Sequence, residues 1–185
     1  MNKKLTQTGV LAGICIVLTL TGLGFIKTPL LSVTFVHLPV ILGVLLVGKK
    51  EGIILGLIFG LCSLANNLMV PTATSFVFYN PMVSIFPRVM IPVMVILTAK
   101  LTEKQKKDVR VIVSSAVGSL TNTVLVLSMI YVFYAARYAE VLGVAKEAVI
   151  GVLATTALTN GVAEAVFVSI LALIIVKATR KDLAL

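Results

Sequence analysis

The sequence has no tryptophan, one histidine, two cysteines and a charged fraction of only 12%, against roughly 25% in ordinary soluble domains. Each shortage closes a class of function. A single histidine cannot build an HExxH zinc site, and no GxSxG segment with triad partners or carboxylate pair suited to hydrolysis accompanies it, so the chain is expected not to be an enzyme. Cys15 and Cys62 lie inside apolar runs without CxxC spacing, which leaves neither a disulfide framework nor a metal site and makes buried free thiols the expectation. The missing tryptophan tells against a large aromatic ligand in need of stacking partners. Acidic residues number 7 against 16 lysines and arginines, giving net +9. Because most of those bases flank apolar runs, the positive-inside rule accounts for them better than a nucleic-acid partner does.

What the chain has in quantity is hydrocarbon: 59% of its 185 residues are hydrophobic, well beyond the roughly 45–50% of soluble domains. A water-soluble core of this size cannot hide so much apolar surface, and lipid is the natural solvent. Charge clusters and proline or glycine breaks divide the sequence into apolar segments near Leu5–Ile26, Val33–Val47, Gly52–Met69, Pro81–Ala99, Val111–Tyr134 and Glu147–Val176. The expected architecture is an all-α integral membrane protein, one transmembrane domain over residues 1–185 made of six helices. The first segment is longer than a secretory hydrophobic region of about 7–15 residues and lacks a small-x-small cleavage pattern, so it is read as a retained span. Gly43 to Lys50 comes close to a phosphate-binding loop, but Lys50 stands where Ser or Thr should hold magnesium, and the match is taken as chance.

With both termini in the cytoplasm, the inside bases are Lys3, Lys4, Lys49, Lys50, Lys100, Lys104, Lys106, Lys107, Arg110, Lys177, Arg180 and Lys181, against Lys27, Arg137 and Lys146 outside. That asymmetry sets the orientation. The second segment supplies only about 22 Å of helix for a hydrocarbon core of about 30 Å. The Lys27–Ser32 connection is therefore expected to dip over an outward-facing cavity, and the Ala135–Lys146 connection is read as a loop.

Counting inward from the nearest cytoplasmic charge puts His37, Arg88, Asn122 and Glu164 about 18–20 Å above the inner edge, with Asn66, Asn67 and Asn160 a few ångströms higher. Isolated polar groups in lipid are costly, so a shared depth points to one site facing the bundle interior. Phe78 and Asn80, at the outer rim, complete the expected substrate-binding set. Blander readings stand beside this one. Arg88 and Glu164 could form an ion pair that only joins two helices; His37 could bond a neighbouring carbonyl; the asparagines could be interhelical glue; and Phe76, Phe78 and Tyr79 could be interfacial anchors. Pro81, Pro87 and Pro92 make the fourth segment irregular beside Arg88, as a cavity or a plain kink requires. Gly9 and Gly13, with Ala12 beside them, allow close approach of another helix, either within the bundle or from a second protein.

The segments Val36-His37-Leu38-Pro39, Leu64-Ala65-Asn66-Asn67, Pro71-Thr72-Ala73-Thr74, Phe86-Pro87-Arg88, Leu120-Thr121-Asn122-Thr123 and Asn160-Gly161-Val162-Ala163-Glu164 resemble the substrate-binding S components of energy-coupling factor (ECF) vitamin transporters, most of all the pantothenate-type members. The resemblance implies a subunit of the bacterial plasma membrane that captures a vitamin outside and delivers it by toppling in the bilayer. It implies as partners a transmembrane scaffold and two ATPases, which would use the ATP and magnesium, so that no cofactor is expected in this chain. The family's small-residue surface on the first helix meets the scaffold, and Gly9, Ala12 and Gly13 are its counterpart here. Related members take riboflavin, hydroxymethylpyrimidine or pyridoxine on the same fold. From another class, a stand-alone ion-coupled carrier is the competing reading, although no repeated halves are evident.

Overall fold

A computed structural model describes residues 3–27, 32–179 and 182–184. Helix α1 (Lys3–Leu20) leads into a short antiparallel pair, β1 (Phe25–Lys27) with β2 (Ser32–Thr34), in which Phe25 faces Thr34 and Lys27 faces Ser32. Then come α2 (Leu38–Leu46), α3 (Lys49–Met69), a 3-10 turn (Ser75–Tyr79), α4 (Pro81–Ser84), α5 (Phe86–Leu101) and α6 (Lys107–Leu142). A 3-10 turn at Lys146–Ala148 precedes α7 (Val149–Thr156), a π turn (Ala157–Gly161) and α8 (Val162–Thr179). Among the described residues, five stretches are long and apolar enough to cross a membrane: Lys3–Leu20, Lys49–Met69, Pro81–Leu101, Lys107–Leu142 and Lys146–Thr179.

The all-helical class stands, with one short addition: between α1 and α2 the backbone pairs as β1 and β2, the way a non-helical segment satisfies its polar groups beside apolar surroundings. Two expectations need correction. The second segment forms only the 9-residue α2, which at about 1.5 Å per residue is less than half of a span. The expected loop after Tyr134 is helix as far as Leu142, ending where Gly143 adopts φ 66°, the left-handed C-terminal stop that glycine tolerates best. The Lys27–Ser32 connection falls largely on residues 28–31, and Arg180 and Lys181 likewise lie outside the described residues.

The core forms around α2. His37 and every residue from Leu38 to Leu45 are buried, packed with Leu55, Ile91, Val95, Val111, Val168, Ala172 and Val176 of the surrounding helices. Such all-round apolar burial marks a helix enclosed by others. Glycines let α3 close onto α5: a Cβ on Gly56 would stand 2.7 Å from the Arg88 carbonyl oxygen, and one on Gly60 would stand 2.8 Å from the Ile85 Cα. This contact carries Phe59 and Ser63 up to the start of α5. At one end of the bundle Lys177 pairs with Asp108 at 2.6 Å, Lys107 lies 3.7 Å from Asp182, and the Ala184 N–H donates to the Leu45 carbonyl. The start of α6, the end of α8 and the end of α2 therefore share one basic end, and the β1/β2 pair and the Ser75–Tyr79 turn lie toward the far end.

Candidate substrate-binding cavity

In the half of the bundle away from the basic end lies a cavity of about 600 Å³, within the range of about 300–1,000 Å³ typical of small-molecule sites. Its wall takes residues from α1 and the turn after it (Thr19, Thr21), from β2 (Thr34), from α3 (Phe59, Ser63, Asn66, Asn67), from Thr72 and Phe78, from α5 (Arg88), from α6 (Asn122, Thr123), from the end of α7 (Thr156), from the π turn (Asn160) and from α8 (Glu164).

The charges are held in place by neighbours rather than by each other. Arg88, 7% exposed, is one turn into α5, because the chain breaks at Ile85 between α4 and α5. Its Nη1 donates to the Val83 carbonyl at 2.9 Å, and its guanidinium carbon lies 5.4 Å from the Phe59 ring centroid and 5.6 Å from that of Phe78. Two aromatic faces stabilise a cation while leaving its in-plane donors free to meet an anion. Among the described residues, neither Arg88 Nε nor Asn122 Oδ1, both buried, has a hydrogen-bond partner. Glu164 accepts from the Thr34 backbone N–H at 2.8 Å and from the Thr123 hydroxyl at 3.3 Å. No ion pair joins Arg88 to Glu164, so the purely structural pairing is not what these side chains do.

The asparagines divide their work. Asn67 donates from Nδ2 to the Ser63 carbonyl and accepts at Oδ1 from the Ser75 hydroxyl, both at 2.9 Å, so it fastens the segment that follows α3. Asn66, Asn122 and Asn160 lie half-buried on the cavity wall. Asn160 owes its position to the π turn Ala157–Gly161, a local widening often found at functional sites.

Two expected site residues are placed elsewhere. His37 is fully buried at the start of α2, with Nε2 2.9 Å from the Ser119 hydroxyl on α6, and it joins two helices without lining the cavity. Asn80 caps α4, its Oδ1 accepting from the Met82 N–H at 2.9 Å, the ordinary duty of Asn ahead of an N-terminal proline. On α1, Gly9 and Gly13 lie on an open face where an added Cβ would meet nothing within 4 Å, while Ala12 packs toward the core.

Thr34, Thr123 and Phe59 were not expected as site residues. Thr123 stands next to Asn122 at the same depth, so counting would nominate it, whereas Phe59, on the helix that starts at Lys49, lies only about 12 Å from Glu51 and carries no polar signal. Thr34 carries no such signal, because its contribution is a backbone N–H.

A bundle of helices long and apolar enough to cross a membrane, enclosing a polar cavity that holds Arg88 and Glu164, has the form of a solute-binding membrane protein. Residues 3–176 match the family model described as ECF transporter, substrate-specific component, and the chain belongs to that family. It is also similar to the Pantothenic acid transporter PanT of Lactococcus lactis subsp. cremoris (strain MG1363), with 28% identity over 162 residues, covering 80% of this chain and 78% of that protein. As a family member it is a multi-pass protein of the bacterial plasma membrane, the substrate-binding component of a transporter, working with an energy-coupling module on a vitamin.

Proposed function

We propose that this chain captures pantothenate at a cavity facing the cell exterior and delivers it when docked on an ATP-driven module. In this reading the basic end is cytoplasmic, both termini lie there, and α2 with the β1/β2 pair completes a sixth crossing beside the five long helices. The likeness to the pantothenic acid transporter supports the choice of vitamin. The observation that carries it is the chemistry of the wall: Arg88 Nε and Asn122 Oδ1 are buried with no hydrogen-bond partner among the described residues, and Glu164 lines the same cavity. Pantothenate has one carboxylate, two hydroxyls and an amide. The carboxylate suits the guanidinium, and the hydroxyls and amide suit Asn66, Asn122, Asn160 and the Glu164 carboxylate. Phe59 and Phe78 then flank the guanidinium and keep water away.

Transport follows from what the chain lacks and what α1 exposes. With no nucleotide-binding loop of its own, the chain draws its energy from partners, a transmembrane scaffold and two ATPases. The open Gly9/Gly13 face of α1, with Ala12 at its edge, is where the scaffold helices meet it, and toppling of the bundle carries the cavity inward.

The test is calorimetric titration of the purified protein with pantothenate, riboflavin, pyridoxine and hydroxymethylpyrimidine. Pantothenate is expected to bind tightest, and tighter binding of any other would overturn the assignment. Sustained ion-driven uptake by vesicles containing this chain alone would overturn the dependence on ATPases.

A further inference from the structure

The end of α6 reaches beyond what a membrane crossing needs. Its 36 residues span about 54 Å at 1.5 Å per residue, against a hydrocarbon core of about 30 Å. Arg137, about 45 Å along the axis from Lys107, projects from this extension and holds its guanidinium carbon 4.3 Å from the Phe76 ring centroid. The same ring meets Tyr134, one helical turn earlier, edge-on at 5.8 Å.

Phe76 belongs to the Ser75–Tyr79 turn, and two residues further along Phe78 lies against the Arg88 guanidinium and lines the cavity. The turn is thus seated between two arginines, Arg137 at one ring and Arg88 at the other. Three more contacts make it a short, stiff link: the Ser75 hydroxyl donates to Asn67 Oδ1, the Thr72 N–H donates to the Ser75 hydroxyl at 2.9 Å, and the Ser84 hydroxyl donates to the Phe78 carbonyl. Val77, fully buried, anchors the middle in an apolar cluster with Val126, Ile130, Val149 and Leu153.

We infer that Arg137 is a positioning residue for the cavity wall: without touching ligand, it clamps Phe76 and thereby holds Phe78 against Arg88, slowing escape of the bound vitamin. This rests on the pantothenate reading for its kinetic consequence but not for its structural one. The guanidinium is preferred to an alkyl side chain because the attraction comes from the ring's negative face.

The experiment has two arms, each comparing the parent protein with Arg137→Ala, Arg137→Met and Arg137→Lys in lipid nanodiscs. In the first, release of pre-bound radiolabelled pantothenate is chased with unlabelled pantothenate. The alanine and methionine variants are expected to release about two- to fivefold faster, the span of a cation–π contact at an exposed position, and lysine to recover most of the loss. Equal release from parent and alanine variants overturns the proposal, as does a lysine variant no better than methionine. The second arm needs no ligand: amide hydrogen exchange over residues 72–80 is expected to quicken in the alanine and methionine variants and return toward the parent rate in the lysine variant. Unchanged exchange there overturns the clamp itself, whereas failure of the parent to bind pantothenate overturns only the vitamin assignment.

Discussion

Thr34 donates its backbone N–H to the Glu164 carboxylate at 2.8 Å, joining residues 130 positions apart. Thr34 ends β2, and Glu164 lies one turn into α8, so a single carboxylate ties the β1/β2 pair to the last helix on the wall of the cavity. With Thr123 donating to its second oxygen, Glu164 serves the protein and the cavity at once.

Replacing Glu164 by Gln tests this double duty. The amide keeps the size but presents a weaker acceptor, and one of its two ends now donates. Exchange of the amides in residues 32–36 is expected to quicken, and pantothenate affinity to fall by about 1–3 kcal/mol, the range for disturbing a buried hydrogen-bonded charge. Hydrogen exchange and calorimetry on the same preparation separate the two effects. Weaker binding with unchanged exchange would confine Glu164 to ligand contact.

Arg88→Ala is expected to weaken pantothenate binding by about 2 kcal/mol or more, as losing one partner of a buried charged hydrogen bond does. Arg88→Lys should recover little of it. A lysine ammonium lacks the planar fork that both fills the space between Phe59 and Phe78 and meets a carboxylate along two parallel bonds. Calorimetric titration of both variants checks the order, and parent-like affinity in the alanine variant would leave Arg88 a structural cation.

These roles are unequally legible in the sequence. Asn66, Asn67, Arg88, Asn122 and Glu164 each share one continuous helix with the charge from which their depth is counted, so a rise of about 1.5 Å per residue turns sequence position into depth, and the structure brings all five to one cavity. Depth carries no information about azimuth. His37 lies in the same slab yet turns into the α2–α6 contact, and only packing decides that. Asn80 was legible in another way, as an N-cap before Pro81, and that signal should have outweighed its rim position. The β1/β2 pair is too short for a period-two pattern to register. The continuation of α6 past Tyr134 is hidden from a hydropathy reading because hydropathy falls there, although Ala135, Ala136, Arg137 and Ala139 are good helix formers with no breaker before Gly143.

His37→Ala therefore makes a contrasting prediction. It removes a fully buried ring, leaves the Ser119 hydroxyl without its partner across the α2–α6 contact, and opens a void in the core. Thermal unfolding in detergent should report a loss of about 1–3 kcal/mol, while pantothenate affinity of the folded fraction changes by less than about threefold, roughly 0.6 kcal/mol. A large affinity loss with parent-like unfolding would return His37 to the binding site.

The α1 face separates binding from delivery. Gly9 and Gly13 are exposed, and an added Cβ there meets nothing within 4 Å, so in Gly9→Leu with Gly13→Leu each new side chain sets out into open space. Leucine also has the better helix propensity, by roughly 0.5–1 kcal/mol per site, so the doubly substituted chain is expected to unfold no sooner than the parent and to bind pantothenate with unchanged affinity. If a partner helix must approach this face closely, two leucines hold it several ångströms away and forfeit the contacts that small residues permit. Vesicles reconstituted with the variant and a complete ATPase module should then take up pantothenate at a small fraction of the parent rate, despite full ligand capture. Parent-like uptake would move the coupling surface off this stretch of α1, toward other exposed apolar positions of the bundle.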